Sequence, residues 1–196
     1  MKRIMVLSFS AMLFVAAAAA QAQVNKYDIK SGIATLDIVT TVSSTKIKMT
    51  KIVYFDDYGR KECQETYSNG KLSGVFFCDG KNSFSLNFKK KKAETQGPAT
   101  NGIGTRIEIN AMGTKEDIAS GRVKKGSPMT LAGQICEVIQ VGRGGTPTIY
   151  GGWHQVLVYM KSSSSGVNTE IKAVKLEANA AVPKEKFEIP AGFAVQ

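Results

Sequence analysis

Tyr54-Phe55-Asp56-Asp57-Tyr58-Gly59, Tyr67-Ser68-Asn69-Gly70-Lys71-Leu72, Cys78-Asp79-Gly80 and Ser83-Phe84-Ser85-Leu86-Asn87-Phe88 follow one another at intervals of roughly ten residues, and together they decide the fold. Asn-Gly and Asp-Gly accept the positive φ that a tight hairpin demands, so residues 51–88 read as an up-and-down antiparallel meander of four strands. The last of these alternates cleanly, with Phe84, Leu86 and Phe88 on one face and Ser83, Ser85 and Asn87 on the other. Upstream, Ala34, Leu36 and Ile38 alternate with Ile33, Thr35, Asp37 and Val39 in a strand over 33–41. A second run covers 46–55, where Ile47 and Met49 alternate with Lys46 and Lys48 before a solid apolar patch. Downstream, strands are expected over 129–132, 134–141, 146–150, 153–160 and 169–176, with 162–166 as a flexible connection and 187–190 extended.

The stretch 93–125 breaks the period of two. It is polar, contains Gly97-Pro98 and Gly102, and offers only a short strand-like piece over 105–110. Thr114 followed three residues later by Asp117 marks a helix start, since the hydroxyl accepts a backbone N–H and the acid sits in the electropositive first turn. Ile118, Ala119, Arg122 and Val123 would share a face of that helix, and Gly126 would end it. The reading is nine to eleven strands with one helical insertion.

The first 22 residues read as a secretory signal: a basic lead of Lys2 and Arg3, an apolar run over 4–20, and the small-residue site Ala20-Gln21-Ala22. The run is too short to anchor in a bilayer, and no cysteine follows it to take a lipid. Cleavage would leave about 174 residues, 23–196, the size of one domain, in the periplasm or outside the cell. Without Lys2 and Arg3 the formal charge of +10 falls to +8. Most lysines are interleaved with acids. Lys89-Lys90-Lys91-Lys92 reads as a solvated strand end that discourages edge-to-edge aggregation. It lacks the arginine and aromatic interleaving that nucleic-acid recognition uses.

Catalytic, cofactor and metal patterns are weak. His154 has no nucleophile or zinc-type spacing around it. Gly142-Arg143-Gly144-Gly145-Thr146 lacks a phosphate-loop lysine and runs into a strand rather than a helix, so it reads as a hairpin loop. Asp56-Asp57 fits a turn better than a calcium loop, because no further acids follow at ligand spacing. Cys63, Cys78 and Cys136 would lie in an oxidising compartment, and one thiol must be left over. A two-residue loop at Asn69-Gly70 sets Cys63 opposite Phe76 with Cys78 a diagonal neighbour. One bulge could then bring the sulfurs together in a bridge worth roughly 3 kcal/mol. A register shift of one residue would place them on opposite faces and forbid it.

Leu131-Ala132-Gly133-Gln134-Ile135-Cys136, then Gly152-Trp153, then Ala173 through Asn179, then Val182-Pro183 and Phe187-Glu188-Ile189-Pro190-Ala191-Gly192, occur in an order that resembles an exported domain family akin to the outer-membrane lipoprotein carriers. Tyr27-Asp28-Ile29-Lys30-Ser31-Gly32 and Val53-Tyr54-Phe55-Asp56-Asp57-Tyr58-Gly59 suit that family too, so the resemblance spans most of the mature chain. It implies a strongly curved antiparallel sheet forming a half-open barrel, with one or two short helices on its concave side. Carriers of that type hold acyl chains inside. An incompletely closed barrel must in any case fill its interior with side chains, a helix or a ligand. Leu36, Ile38, Phe84, Leu86 and Trp153 are the candidate lining of an apolar cavity. The expected function is non-enzymatic binding of a lipid or other apolar ligand. The alternative is an envelope module that presents its sheet to a protein partner or an anionic surface.

Overall fold

The computed structural model describes residues 25–142 and 145–196; the leader read over 1–22 lies outside them, as do Arg143 and Gly144 of the glycine loop. The chain runs β1 (Gly32–Val42), β2 (Thr45–Asp56), β3 (Lys61–Ser68), β4 (Lys71–Asp79), β5 (Asn82–Asn87) and β6 (Lys92–Pro98). Two short helices follow, α1 (Ile109–Met112) and α2 (Lys115–Ala119). Then come β7 (Val123–Lys125), β8 (Met129–Leu131), β9 (Gln134–Val141), β10 (Thr148–Trp153), β11 (Val156–Ser164), β12 (Val167–Ala178) and β13 (Ala194–Val195). They form a 13-stranded sheet in the order β13-β6-β5-β4-β3-β2-β1-β12-β11-β10-β9-β7, with β8 added on β9. Every pairing is antiparallel except that of β13 on β6. The sheet is curved and unclosed, the half-open barrel expected from the sequence. No helix among the described residues is long and apolar enough to cross a membrane.

The meander 51–88 is β2 to β5, and Asn69 (φ 50°) and Gly70 (φ 73°) make its central turn, the backbone that Asn-Gly tolerates without strain. Thr114 and Asp117 cap α2 reciprocally, Asp117 N–H donating to the Thr114 hydroxyl (3.2 Å) and Thr114 N–H to the Asp117 carboxylate (2.9 Å). Three local expectations fail. The helix ends at Ala119, and Val123 opens a strand on β9 instead of continuing the helical face. The piece 105–110 contributes only a bridge from Arg106 to Val156 before turning into α1. The polar run at 92–98 is a full strand, with Ala93 buried opposite Leu86. Gly151-Gly152, between the strands expected over 146–150 and 153–160, lies inside β10. A Cβ on Gly151 would lie 2.7 Å from that of Tyr159, and one on Gly152 2.8 Å from that of Ile107, so close crossing, not turning, requires these glycines. The turn falls instead at His154 and Gln155, both with positive φ, and His154 is exposed.

Register separates two sheet faces. On one, Leu36 sits opposite Lys51 and Ile38 opposite Met49. On the other, Phe84 sits opposite Phe77, Phe77 opposite Cys63, and Cys63 opposite Tyr54. The Leu36 face is covered at one end by the N-terminal segment, where Tyr27 lies edge-on to Phe55 with ring centroids 5.0 Å apart. The segment 99–122 covers it too: Ile109, Met112 and Ile118 pack with Ile139 and Val141, which lie on this face through Tyr150, Met160 and Ile171. The Phe84 face is covered by the C-terminal segment, whose Phe187 completes a core with Cys63, Phe77 and Phe84.

Candidate functional site

Beneath the covered end of the Leu36 face lies a fully buried carboxylate. Glu62 Oε2 accepts from Lys26 Nζ (2.9 Å), the Tyr27 hydroxyl (3.1 Å) and the Gly104 backbone N–H (3.0 Å), and its Oε1 accepts from Gln64 Nε2 (2.9 Å). Four donors from three stretches of chain converge on one side chain, which clamps residues 26–27 and 104 to β3. A side chain at Gly104 would come within 2.7 Å of the Tyr27 hydroxyl, so the close approach needs glycine. Burial, and then the neighbouring Glu62 charge, pushes the Tyr27 hydroxyl well above its ordinary pKa, keeping it a donor.

Beside the clamp is a cavity of about 190 Å³, bounded by Leu36, Lys51, Val53, Gln64, Ile103 and Ile171 among others. It is smaller than the roughly 300–1,000 Å³ that small-molecule sites occupy. The N-terminal segment and the 99–122 segment therefore fill most of the hollow at this end, and what remains is mixed in polarity. Lys51 Nζ donates to Gln64 Oε1 (3.0 Å), and burial lowers its pKa while the Glu62 charge works in the other direction.

Farther along the same strands the Leu36 face continues with apolar side chains interspersed with the hydroxyls of Thr40, Thr45, Thr169 and Ser162. Ile38 pairs with Met49 and Ile171, Ile171 with Met160, and Val42 with Val167, while Ile47 pairs with Thr40. Ile47 is 47% exposed, Val42 43% and Val167 37%, and Met49, Met160 and Ile171 are half-buried. The opposite face of these strand ends carries Thr41, Lys46, Lys48, Asn168 and Glu170. That is the alternation of a sheet with one wet face and one face meant to be covered. Val42, Ile47 and Val167 thus leave apolar surface exposed on three neighbouring strands.

The five lining residues expected from the sequence do not surround one cavity. Leu36 borders the inner cavity, and Ile38, itself buried, pairs with the half-buried Met49 where the more exposed stretch begins. Phe84 and Leu86 lie on the other face, packed under the C-terminal segment with Phe187, Val182 and Ile189. Trp153 is 2% exposed in the core with Leu36 and Cys136, its buried indole N–H without a hydrogen-bond partner among the described residues. The split follows from the sheet being covered on both sides, so that period-two alternation identifies a face without saying which cover lies over it.

The Phe84 face has two clefts of its own. One, of about 550 Å³, runs along Asp37, Val39, Lys48, Thr50, Ile52 and Tyr67 to the Asn69-Gly70 turn, is also bordered by Ile38 and Met49, and is mixed in polarity. The other, of about 240 Å³, lies between β3–β5 and the C-terminal segment. There Glu65 pairs with Lys186 and accepts from the Tyr67 hydroxyl (2.8 Å), and Lys186 Nζ sits 4.3 Å from the centre of the Tyr54 ring.

Cys63 and Cys78 do not form the expected bridge. The register shift between Thr66 and Tyr67 moves β4 by one residue, so Cys63 faces Phe77 and Cys78 faces Glu62, on opposite sides of the sheet. All three cysteines are buried free thiols. Burial, with lesser help from Glu65, pushes the Cys63 thiol up to about 12, and burial with Glu62 pushes Cys78 to about 11.

A curved, unclosed, mostly antiparallel sheet with short helical segments laid on one face defines a half-open-barrel class of fold. No family model matches the chain, and no curated protein does either. Among solved structures, it is similar to an uncharacterised conserved protein from Thermus thermophilus, at 10% identity and a TM-score of 0.57, over 88% of this chain and 93% of that one. It is similar to a chain of the Pseudomonas aeruginosa MucA/MucB complex at 11% identity and a TM-score of 0.52, over 85% of this chain and 58% of that one. A LolA-superfamily protein, NE2245 from Nitrosomonas europaea, matches at 8% identity and a TM-score of 0.41, over 84% and 92% of the two chains. At these identities the likenesses are of fold alone, and function does not travel with fold.

Proposed function

We propose that this chain is an exported, non-enzymatic binding protein that shelters a lipid or other apolar group along the uncovered half of its Leu36 face. One observation carries the reading: the exposed Ile47 and the half-buried Met49, Met160 and Ile171, with the buried Ile38 behind them, form an apolar stretch that leads from the inner cavity toward the strand ends. Burying such a surface is favourable by about 25 cal/mol per Å² of apolar area, which a chain-like ligand supplies. Protein isolated from a membrane-containing lysate is expected to carry extractable acyl chains, seen as mass adducts in native mass spectrometry that organic extraction removes. Ligand-free protein only, together with no uptake of a fluorescent fatty acid, would overturn the reading.

A second reading is an envelope interaction module. It draws on the exposed lysines Lys89, Lys90 and Lys91 beside the exposed Phe88, and on the likeness to a fold seen in a complex with a protein partner. Salt-sensitive retention on anionic vesicles, lost when the lysines at 89–92 are changed to glutamine, would favour it.

A further inference from the structure

We propose that the apolar ligand is a single-tailed amphiphile with an anionic head, carboxylate or phosphate, whose head sits on Lys51 and whose tail lies along Ile38, Met49 and Ile47. The inference rests on the binding function proposed above and names the chemistry of its ligand.

Lys51 stands at the step between the two halves of the Leu36 face. It borders the inner cavity with Leu36 and Ile171, and two residues farther along β2 the face becomes the open apolar stretch at Met49. Among the described residues its ammonium meets one protein acceptor, the neutral side-chain carbonyl of Gln64 (3.0 Å), and makes no ion pair. Glu62, the acid nearest in the network, is already engaged: Lys26, Tyr27, Gly104 and Gln64 occupy both its oxygens. Two ammonium groups therefore face one carboxylate, and the site is left with one positive charge in excess. Of the three N–H donors an ammonium carries, Gln64 takes one.

A site for a wholly neutral chain gains nothing from a half-buried ammonium at its floor, because taking a charge partly out of water costs free energy unless a partner repays it. An anionic head repays it, and an oxyanion can accept from the remaining donors in charge-assisted bonds. The dimensions agree. Lys51 and Ile47 are four residues apart, about 13 Å at about 3.3 Å per residue, and Leu36 to Val42 along β1 spans about 20 Å. A head at Lys51 thus leaves room for an extended tail toward the open end. The inner cavity of about 190 Å³ holds the head but not the tail.

The test measures binding of dodecanoate, dodecyl phosphate and dodecan-1-ol, each below its micelle concentration, to the intact protein and to Lys51→Met and Lys51→Arg, whose folding is checked by circular dichroism. Dodecanoate or dodecyl phosphate should bind at least about tenfold tighter than the alcohol. Lys51→Met should erase that preference by weakening the anion alone, and Lys51→Arg should retain it; the tighter of the two anions identifies the head. Equal binding of acid and alcohol, unchanged in Lys51→Met, would overturn the anionic head and leave the apolar site standing. No binding of any of the three would overturn the apolar site and the head together.

Discussion

Changing Glu62 to leucine is expected to cost about 3–5 kcal/mol of stability, because it strands the ammonium of Lys26, whose side chain is only 7% exposed, and removes the acceptor of a buried hydroxyl. At about 2–4 °C per kcal/mol, the melting temperature should fall by roughly 6–20 °C. Most of that loss comes from the charge left behind rather than from the bond lost. Combining Glu62→Leu with Lys26→Met and Tyr27→Phe should therefore recover most of it, since an apolar replacement of a whole buried pair is often neutral. Thermal unfolding of the single and triple variants decides the matter. If the single variant melts within 2–3 °C of the parent, on the order of 1 kcal/mol, the carboxylate is not the clamp that holds residues 26–27 and 104 on the sheet.

The second large effect concerns the opposite face. Phe187→Ala should cost about 3–5 kcal/mol by opening a cavity between Phe77, Phe84 and the C-terminal segment. Its consequence is also local. Once Phe187 no longer covers it, Cys63 gains solvent, its raised pKa relaxes downward, and it becomes alkylatable in the folded protein. Cys78 lies on the other side of the same hairpin opposite Glu62, and Cys136 packs in a different cluster, so both should stay protected. Peptide mapping after brief treatment with iodoacetamide reads this directly. Alkylation of Cys78 alongside Cys63 would mean global opening, or a register other than the one described.

How much of this was legible in the residues differs from element to element. The strands β1 to β5 follow from alternation and from Asn-Gly and Asp-Gly, because both signals act within a few residues. The pairing of Cys63 turned on one extra residue in β4, and nothing in Lys71-Leu72-Ser73-Gly74 distinguishes a bulged strand from a regular one. β6 was hidden because its only buried side chain is Ala93; the ladder bonds that hold it come from backbone, which composition does not report. Glu62 was missed as a functional position since a single acid in a strand reads as solvent-facing. Its place on the face of Phe55 and Val53 was the available signal, yet the partners Lys26 and Gly104 lie 36 and 42 residues away in sequence. Four of the five lining candidates, all but Ile38, lie in two separate apolar clusters, but alternation could not report that separate segments cover the two faces.

The claim on which the rest depends is that a chain-like ligand lies along the Leu36 face and not the Phe84 face. Isoleucine and methionine methyl groups report on both. Titration of labelled protein with dodecanoate is expected to shift the methyl resonances of Ile38, Ile47, Met49, Met160 and Ile171, and to leave those of Ile33, Ile52 and Ile189 in place. Shifts confined to Ile33, Ile52 and Ile189, or no shifts at saturating ligand, would contradict the account.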